Sequence, residues 1–260
     1  MTNSENVPDV TDVAAQAWLE ALFLFTEAQP GGHFRRGVSG TSELITTAPV
    51  PFLNGVISTA READAEEIAA FVASPRLRSV PWSVQVRGEQ VDERIVSTAA
   101  EHGLRTRMEM PFMLKGIGEG DLRGFPADGV NVRRVMSDES ALYRTTMAAG
   151  YEGPEEIFSV LAGRSLMEHV SMRAYVTEAE GVPVATSFGV QVDDLVGVFN
   201  IAVPPQHRRR GYGRAATAAV LSDAYKNGAR TAFLHASPMG VPLYQAMGFR
   251  LAESWTVFVP

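Results

Sequence analysis

The 260-residue chain contains no cysteine, which excludes disulfides, thiolate metal sites and cysteine nucleophiles. No apolar run approaches the roughly 20 residues that a membrane-spanning helix needs. The first ten residues are polar and acidic and do not resemble a signal peptide. A cytoplasmic protein without a membrane partner is expected. Positive charge is scarce too: 23 Lys and Arg face 30 Asp and Glu, a formal charge of −7. That balance argues against a general nucleic-acid binder. A Walker GxxxxGK[ST] loop and a full GxGxxG fingerprint are both missing. What remains is an ordinary globular composition, 45% hydrophobic and 20% charged, long enough for one large domain or two small ones.

The richest stretch runs from Asp194 to Asn227. Leu195 to Val203 is apolar and rich in β-branched and aromatic residues, which predicts a buried strand ended by Pro204 and Pro205. From Gly213 onward, alanines with Val220 and Leu221 predict a helix, with Gly228 at its left-handed C-terminal position. Between strand and helix lies Arg208-Arg209-Arg210-Gly211-Tyr212-Gly213-Arg214. Glycines allow a sharp turn and close approach of backbone amides, and a helix start offers unpaired N–H groups and a positive dipole end. The combination suits a phosphate or pyrophosphate. For the arginines taken alone, a glycine-containing turn on a basic surface is the favoured reading.

Elsewhere the periodicity predicts a helix over Asp9 to Glu27, strands over Gly37 to Thr47 and Val50 to Ser58, and an acidic helix over Ala63 to Val72. Pro81 to Arg87 is a predicted strand, Glu89 to His102 a helix and Arg105 to Leu114 a strand. Gly116 to Gly129, with Pro126, is the candidate linker between domains at 1–118 and 126–260. Val130 to Val135 is then a predicted strand, followed by a helix capped by Ser137 and another over Glu155 to His169. A meander over Met172 to Val203 turns at Glu180-Gly181 and Asp193-Asp194. After the alanine-rich helix come strand Thr231 to Ala236, a short helix around Tyr244 with Pro242 at its start, and strand Phe249 to Phe258. The class is α/β, with a mixed, mostly antiparallel sheet flanked by helices.

Val203, Pro205, Arg208, Gly211 and Gly213 fit V-x-P-x-x-[QR]-x-x-G-x-[GA], and Leu243 to Phe249 fits LYxxxGF. Two motifs in this order resemble the GNAT (Gcn5-related N-acetyltransferase) superfamily. The resemblance covers Val130 to Pro260 well and the first half weakly. It implies an acyltransferase that moves an acetyl group from acetyl-CoA, without a metal, to a primary amine of a small molecule or peptide. It also implies that the motif strand splays from its neighbour, so that Ile201, Ala202 and Val203 bond the pantetheine amides. Amides from Arg209 through Arg214, namely Arg209, Arg210, Gly211, Tyr212, Gly213 and Arg214, would hold the pyrophosphate, with Arg208 in the motif's Gln/Arg position. Tyr244 is implied as the acid that protonates the departing thiolate; a tyrosine there also suits an amphipathic core position. Many relatives place a glutamate base on the motif strand, whereas this strand has none. Glu152, Glu168, His169, His235 and the terminal carboxylate remain candidates, and Asn200 could position a water.

An internal repeat links the halves. Leu53-Asn54-Gly55-Val56 echoes Phe199-Asn200-Ile201-Ala202, and Glu101-His102-Gly103-Leu104 echoes Ala246-Met247-Gly248-Phe249. Asn54 to Gly103 spans 49 positions and Asn200 to Gly248 spans 48. The first copy has Ser58 to Asp64 in place of the arginine-glycine loop, with no glycine and two carboxylates, which repel a pyrophosphate. It also has no counterpart of Tyr244. A duplicated fold with a degenerate first half is therefore expected, as a monomer or homodimer. Two further functions fit the same residues: a non-catalytic acyl-CoA-binding regulatory module, and a tandem transferase acting on a larger amine conjugate.

Overall fold

A computed structural model describes residues 9–123 and 129–260. Pro126 of the candidate linker falls outside the described residues. The first half comprises α1 (Val10–Glu27), β1 (His33–Arg36), β2 (Thr41–Ile45), β3 (Asn54–Ser58), α2 (Ala65–Val72), β4 (Ser83–Arg87), α3 (Glu93–Glu101) and β5 (Thr106–Gly116). The second comprises β6 (Val130–Arg134), α4 (Ser140–Tyr151), α5 (Arg164–Met167), β7 (Met172–Ala179), β8 (Val182–Val192), β9 (Leu195–Ala202), α6 (Tyr212–Lys226), β10 (Thr231–His235), α7 (Val241–Ala246) and β11 (Arg250–Val259). Among the described residues, eleven strands join one sheet in the order β1-β2-β3-β4-β11-β5-β10-β9-β8-β7-β6. Among the described residues, no helix is long and apolar enough to cross a membrane.

The order shows an exchange. In each half one parallel pair, β3 with β4 or β9 with β10, follows an antiparallel hairpin. The last strand of each half then lies against the other half's parallel pair: β11 on β4, and β5 on β10. The two exchanged strands pair antiparallel with each other, from Arg250 opposite Leu114 to Val259 opposite Thr106. The echoed sequences also fold alike. Gly103 (φ +83°) and Gly248 (φ +88°) each end a helix in the left-handed region. Leu104 N–H donates back to Ala99 at 2.9 Å and Phe249 N–H to Tyr244 at 3.0 Å. Both are helix C-terminal caps of the same type, and they put Ala99 in the place of Tyr244.

Three apolar clusters follow from this layout. One lies under α2 and α3, around Ile68, Phe71, Val84 and Ile95. A second lies under α6, around Val196, Val220, Leu221 and Phe249. The largest lies on the opposite face of the second half and includes α1, whose Trp18, Leu22 and Phe25 pack with Tyr143, Phe188, Phe233 and Trp255. Asp9 starts α1 by accepting from Thr11 N–H at 2.9 Å. The helix thus begins in the first half and covers the second.

Several local expectations need correction. Ser137 does not cap α4; a 3₁₀ turn at Ser137–Glu139 precedes the helix, and Ser137 Oγ donates to Glu168 at 2.7 Å. The single helix expected over Glu155 to His169 is a 3₁₀ run, Glu155–Ala162, then an extended Gly163, then the one-turn α5. β1 was not anticipated as a separate strand; its HFRR sequence lacks an apolar alternation, and it is held at the sheet edge by pairing with β2. The candidate linker includes a 3₁₀ turn at Glu119–Arg123 after β5.

The exchange is tied by one polar cluster. The Arg87 side chain on β4 is 3% exposed. It donates twice to Glu253 of β11, at 2.7 and 2.9 Å, and to the Thr59 carbonyl at 3.0 Å. It also pairs with Asp12 of α1 at 2.8 Å. Trp255 Nε1 donates to the same Glu253 at 2.7 Å. Removing one member of a buried pair leaves the other charge without a partner. Replacing Arg87 with Met should destabilise the chain by about 3 kcal/mol. Because the strands are exchanged, tryptophan fluorescence and far-UV circular dichroism should report one shared urea transition; separate transitions would show that the halves unfold independently.

Candidate active site

β9 and β10 run parallel only from Leu195 opposite Thr231 to Gly197 opposite Phe233. Beyond that point they part. Leu234 and His235 continue to pair with β5, while β9 carries on through Val198 to Ala202 without β10. The parting coincides with a bulge in β9. Phe199 lies opposite Phe188, but Ala202 lies opposite Thr186, so two residues of β9 face one of β8. Asn200 takes the left-handed conformation this needs, φ +51°, which asparagine tolerates better than most side chains. Its carbonyl accepts from Thr186 Oγ1 at 2.9 Å. A slot thus opens at Val198 to Ala202, with backbone groups of one strand facing it. In the first half the corresponding pair stays closed, with β3 joined to β4 from Gly55 to Ser58. Arg87 then occupies the next carbonyl, that of Thr59.

At the end of the slot the chain turns into α6. Arg209 (φ +64°) and Gly211 (φ +86°) are both left-handed. Gly211 is the N-cap residue and supplies no side-chain cap, so the first-turn amides of Tyr212 and Gly213 lack the usual side-chain acceptor. The counterpart, α2, is sealed: Asp64 accepts from Glu66 N–H at 2.9 Å and Glu67 N–H at 3.1 Å. Arg209, Arg210 and Arg214 are exposed around the open α6 end. Gly213 has a packing reason as well, since a Cβ there would sit 3.3 Å from Leu243. The two sequence motifs therefore touch.

Arg208 does not join the exposed cluster. Its Nε donates to the Val203 carbonyl at 3.0 Å, and its Nη2 to the Gly150 carbonyl at 3.0 Å and to Glu152 at 2.6 Å. It fastens the end of α4 to the end of the motif strand. Gly150 makes that possible, because a Cβ there would lie 2.7 Å from the Ala202 Cβ. Gly150 is not foreseeable from the residue pattern, because a glycine at the end of a helix carries no specific signal.

Tyr244 on α7 is 8% exposed and packs edge-on against Phe249, with ring centroids 5.7 Å apart. Burial pushes its phenol well above the usual tyrosine range, and the Tyr151 phenol adds to the shift. It stays protonated at neutral pH, as a proton donor must.

The candidate bases are dispersed. Glu152 is bound to Arg208. Glu168 is held below the usual carboxylate range by Ser137 and then Arg164. His169 Nδ1 accepts from Ser171 N–H at 3.1 Å. Pro260 O accepts from Thr106 Oγ1 at 3.1 Å. His235 ends β10 beside the slot, but its ring is enclosed by Trp18, Phe112 and Trp255, with centroids at 4.4, 4.8 and 5.1 Å. Trp18 Nε1 lacks a hydrogen-bond partner, and the Met110 backbone lies close enough to the His235 ring to oppose the effect of burial. Burial pushes the imidazole down to about 3, so it is neutral and a poor acceptor of a proton from an ammonium. Among the described residues no cluster of three or more His, Asp or Glu could hold a metal.

Residues 163–251 match the model of the acetyltransferase (GNAT) domain family. The chain carries a GNAT domain. The match includes the slot, the arginine-glycine loop and Tyr244, and leaves the first half outside. Across the whole chain, the fold is similar to a GCN5-related N-acetyltransferase from Kribbella flavida, at TM-score 0.67 and 22% identity, covering 96% of each chain. It is also similar to a functionally unknown conserved protein from Staphylococcus epidermidis, at TM-score 0.62 and 14% identity over 90% of this chain and 95% of that one. A GNAT-family protein from Novosphingobium aromaticivorans aligns at TM-score 0.53 and 15% identity, over 85% and 88% of the two chains. No curated protein matches the sequence. These similarities extend the fold beyond the GNAT domain into the first half.

Two outcomes follow from these placements. Arg208→Ala should lower the melting temperature, at a cost of about 1–2 kcal/mol for charged hydrogen bonds on a partly exposed group. It should weaken CoA and a phosphate-free pantetheine analogue alike; a loss confined to CoA would place Arg208 on the phosphates. For His235, the folded pKa lies below the unfolded value of about 6.5. Between pH 6.5 and 3 the unfolded chain therefore binds a proton that the folded chain does not. Stability present above pH 6.5 should fall with decreasing pH by up to about 1.4 kcal/mol per unit. His235→Phe should flatten that slope in urea melts across pH 7 to 4; an unchanged slope would show that His235 does not carry it.

Proposed function

We propose that the protein is an N-acyltransferase that moves an acetyl group from acetyl-CoA to a primary amine of a small molecule or peptide by direct attack. The observation that carries this reading is the asymmetry between the two parallel pairs: β9 parts from β10 beside an uncapped helix, while β3 stays joined to β4 beside a capped one. Acetyl-CoA as the donor supplies the thioester, whose C–S bond breaks as the amine's C–N bond forms. Ile201, Ala202 and Val203 present backbone groups to the pantetheine amides. The amides from Arg209 to Arg214 hold the pyrophosphate, and the exposed guanidinium groups of Arg209, Arg210 and Arg214 attract it at longer range. Arg208 positions that loop through Val203 and Gly150. Tyr244 donates its proton to the departing sulfur, and its buried ring fixes the hydroxyl's direction.

The amine's own proton leaves to water, because among the described residues the candidate carboxylates Glu152 and Glu168 are engaged by Arg208 and Arg164; Asn200 orients that water. The first half binds no second donor, since β3 and β4 leave no slot and Asp64, Glu66 and Glu67 occupy the start of α2. It serves as a degenerate copy that completes the sheet, and the chain divides into units at about 1–118 and 126–260 that share exchanged strands.

Tyr244→Phe removes only the hydroxyl and tests the assignment. Turnover of an accepted amine should fall roughly 10²–10⁴-fold, with kcat and kcat/KM dropping together. The dissociation constant for acetyl-CoA and the melting temperature should hardly change. Near-normal turnover would end the assignment of Tyr244 as the acid, and a lowered melting temperature with intact turnover would make it a core tyrosine.

A further inference from the structure

On the α1 face of the second half, next to the bulge in β9, lies a cavity of about 30 Å³. Phe199 and Asn200 form one wall, and these are also the residues at which the slot opens. Ala21, Leu22 and Phe25 of α1 form the opposite wall, with Leu53 beside them. Every other lining group is aliphatic or aromatic. Asn200 is the single polar side chain, so water gains few partners there. A water needs about 10–15 Å³ of such space, which leaves room for two or three methyl-sized groups.

The walls are fixed. Phe199 stacks on Trp18 with centroids 5.2 Å apart and meets the edge of Phe233 at 6.5 Å. Gly197 is what lets those two rings approach, since a Cβ there would lie 2.4 Å from the Phe199 ring and 2.7 Å from Phe233. Ala21 is 1% exposed and sits where a larger side chain would fill the space. The cavity is therefore a built feature at the end of the slot, with its floor on the second half and its roof on the first.

We infer that this cavity receives the alkyl tail of the donor's acyl group, so that the site takes three- and four-carbon donors, propionyl-CoA or butyryl-CoA, as well as acetyl-CoA and binds them more tightly. The inference rests on the reading of Ile201 to Val203 as the pantetheine strand. With pantetheine along those residues, the thioester end falls at Asn200 and Phe199, at the mouth of the cavity. A carboxylate or amine-bearing tail would find only Asn200 for its charge, so the occupant is an apolar chain. A two-carbon acetyl group leaves part of the cavity empty. The first half, having lost its own donor site, then sets the length of the acyl chain used by the second.

The test is isothermal titration of the full chain with CoA and with acetyl-, propionyl-, butyryl- and hexanoyl-CoA. One site per chain is expected, with affinity rising about fourfold for each methylene buried, up to butyryl, and falling for hexanoyl. Ala21→Leu should flatten the series, and Phe25→Leu should move the optimum to a longer chain. Phe25→Leu carries the test if Ala21→Leu does not fold, as judged by circular dichroism. If CoA binds but affinity is flat or falls from acetyl onward, this inference is overturned and the proposed donor site stands. If neither CoA nor any thioester binds, both are overturned.

Discussion

β5 and β11 lie side by side at the middle of the sheet, and each is hydrogen-bonded on its outer edge to the parallel pair of the other half. The rest of the structure depends on that arrangement. It makes one sheet of two similar halves, sets the two parallel pairs on either side of a common centre, and brings the first half's α1 over the second half's motif strand. Arg87 and Glu253 join across one of the exchanged contacts, and Asp12 adds the start of α1 to the same cluster. Sliding either strand by one residue would turn its core side chains to the other face, so the two halves hold each other in register.

Within this frame the halves diverge by small changes of local chemistry. Both have a parallel pair, a helix between its strands, and a helix capped by a left-handed glycine before the last strand. The second half has a bulge with Asn200 in the left-handed region, a glycine at the start of its helix, and a tyrosine five residues before Phe249. The first half has continuous pairing, Asp64 as a self-sufficient cap, and Ala99 where the tyrosine would be. An opening in a sheet costs unmade hydrogen bonds, so it persists where a bulge or a neighbouring residue forces it, and closes where nothing does.

The sequence made the second half legible because its signals are local. The strand from Leu195, the arginine-glycine turn and the alanine-rich helix each carry a residue pattern tied to backbone geometry, and all three appear where the pattern puts them. The hairpin turns at Glu180-Gly181 and Asp193 are legible for the same reason, with φ values of +52°, +79° and +51°. Long-range features were not legible. Nothing in the residues of β5 or β11 says which half they join, because strand pairing depends on contacts more than a hundred residues apart. The partners of Arg208 were not legible for a related reason: a motif position gives the residue type, whereas Gly150 and Glu152 come from the end of a helix more than fifty residues away. Glu155 to Ala162 had an apolar pattern suited to a helix, but Gly163 and the surrounding packing hold it as a tighter 3₁₀ run.

The exchange also has a consequence in time. A ribosome delivers the chain from the amino end, and β4 is complete at Arg87 while its partner β11 begins only at Arg250. For the interval needed to make the intervening residues, one edge of β4 has no partner, and both edges of β5 have none until β10 is made. Such edges are sticky toward other nascent chains. Pairings this distant in sequence also form slowly. The first half, although all of its own residues are available early, cannot close its sheet until β11 arrives, so completion of the sheet waits on a strand made long after β4.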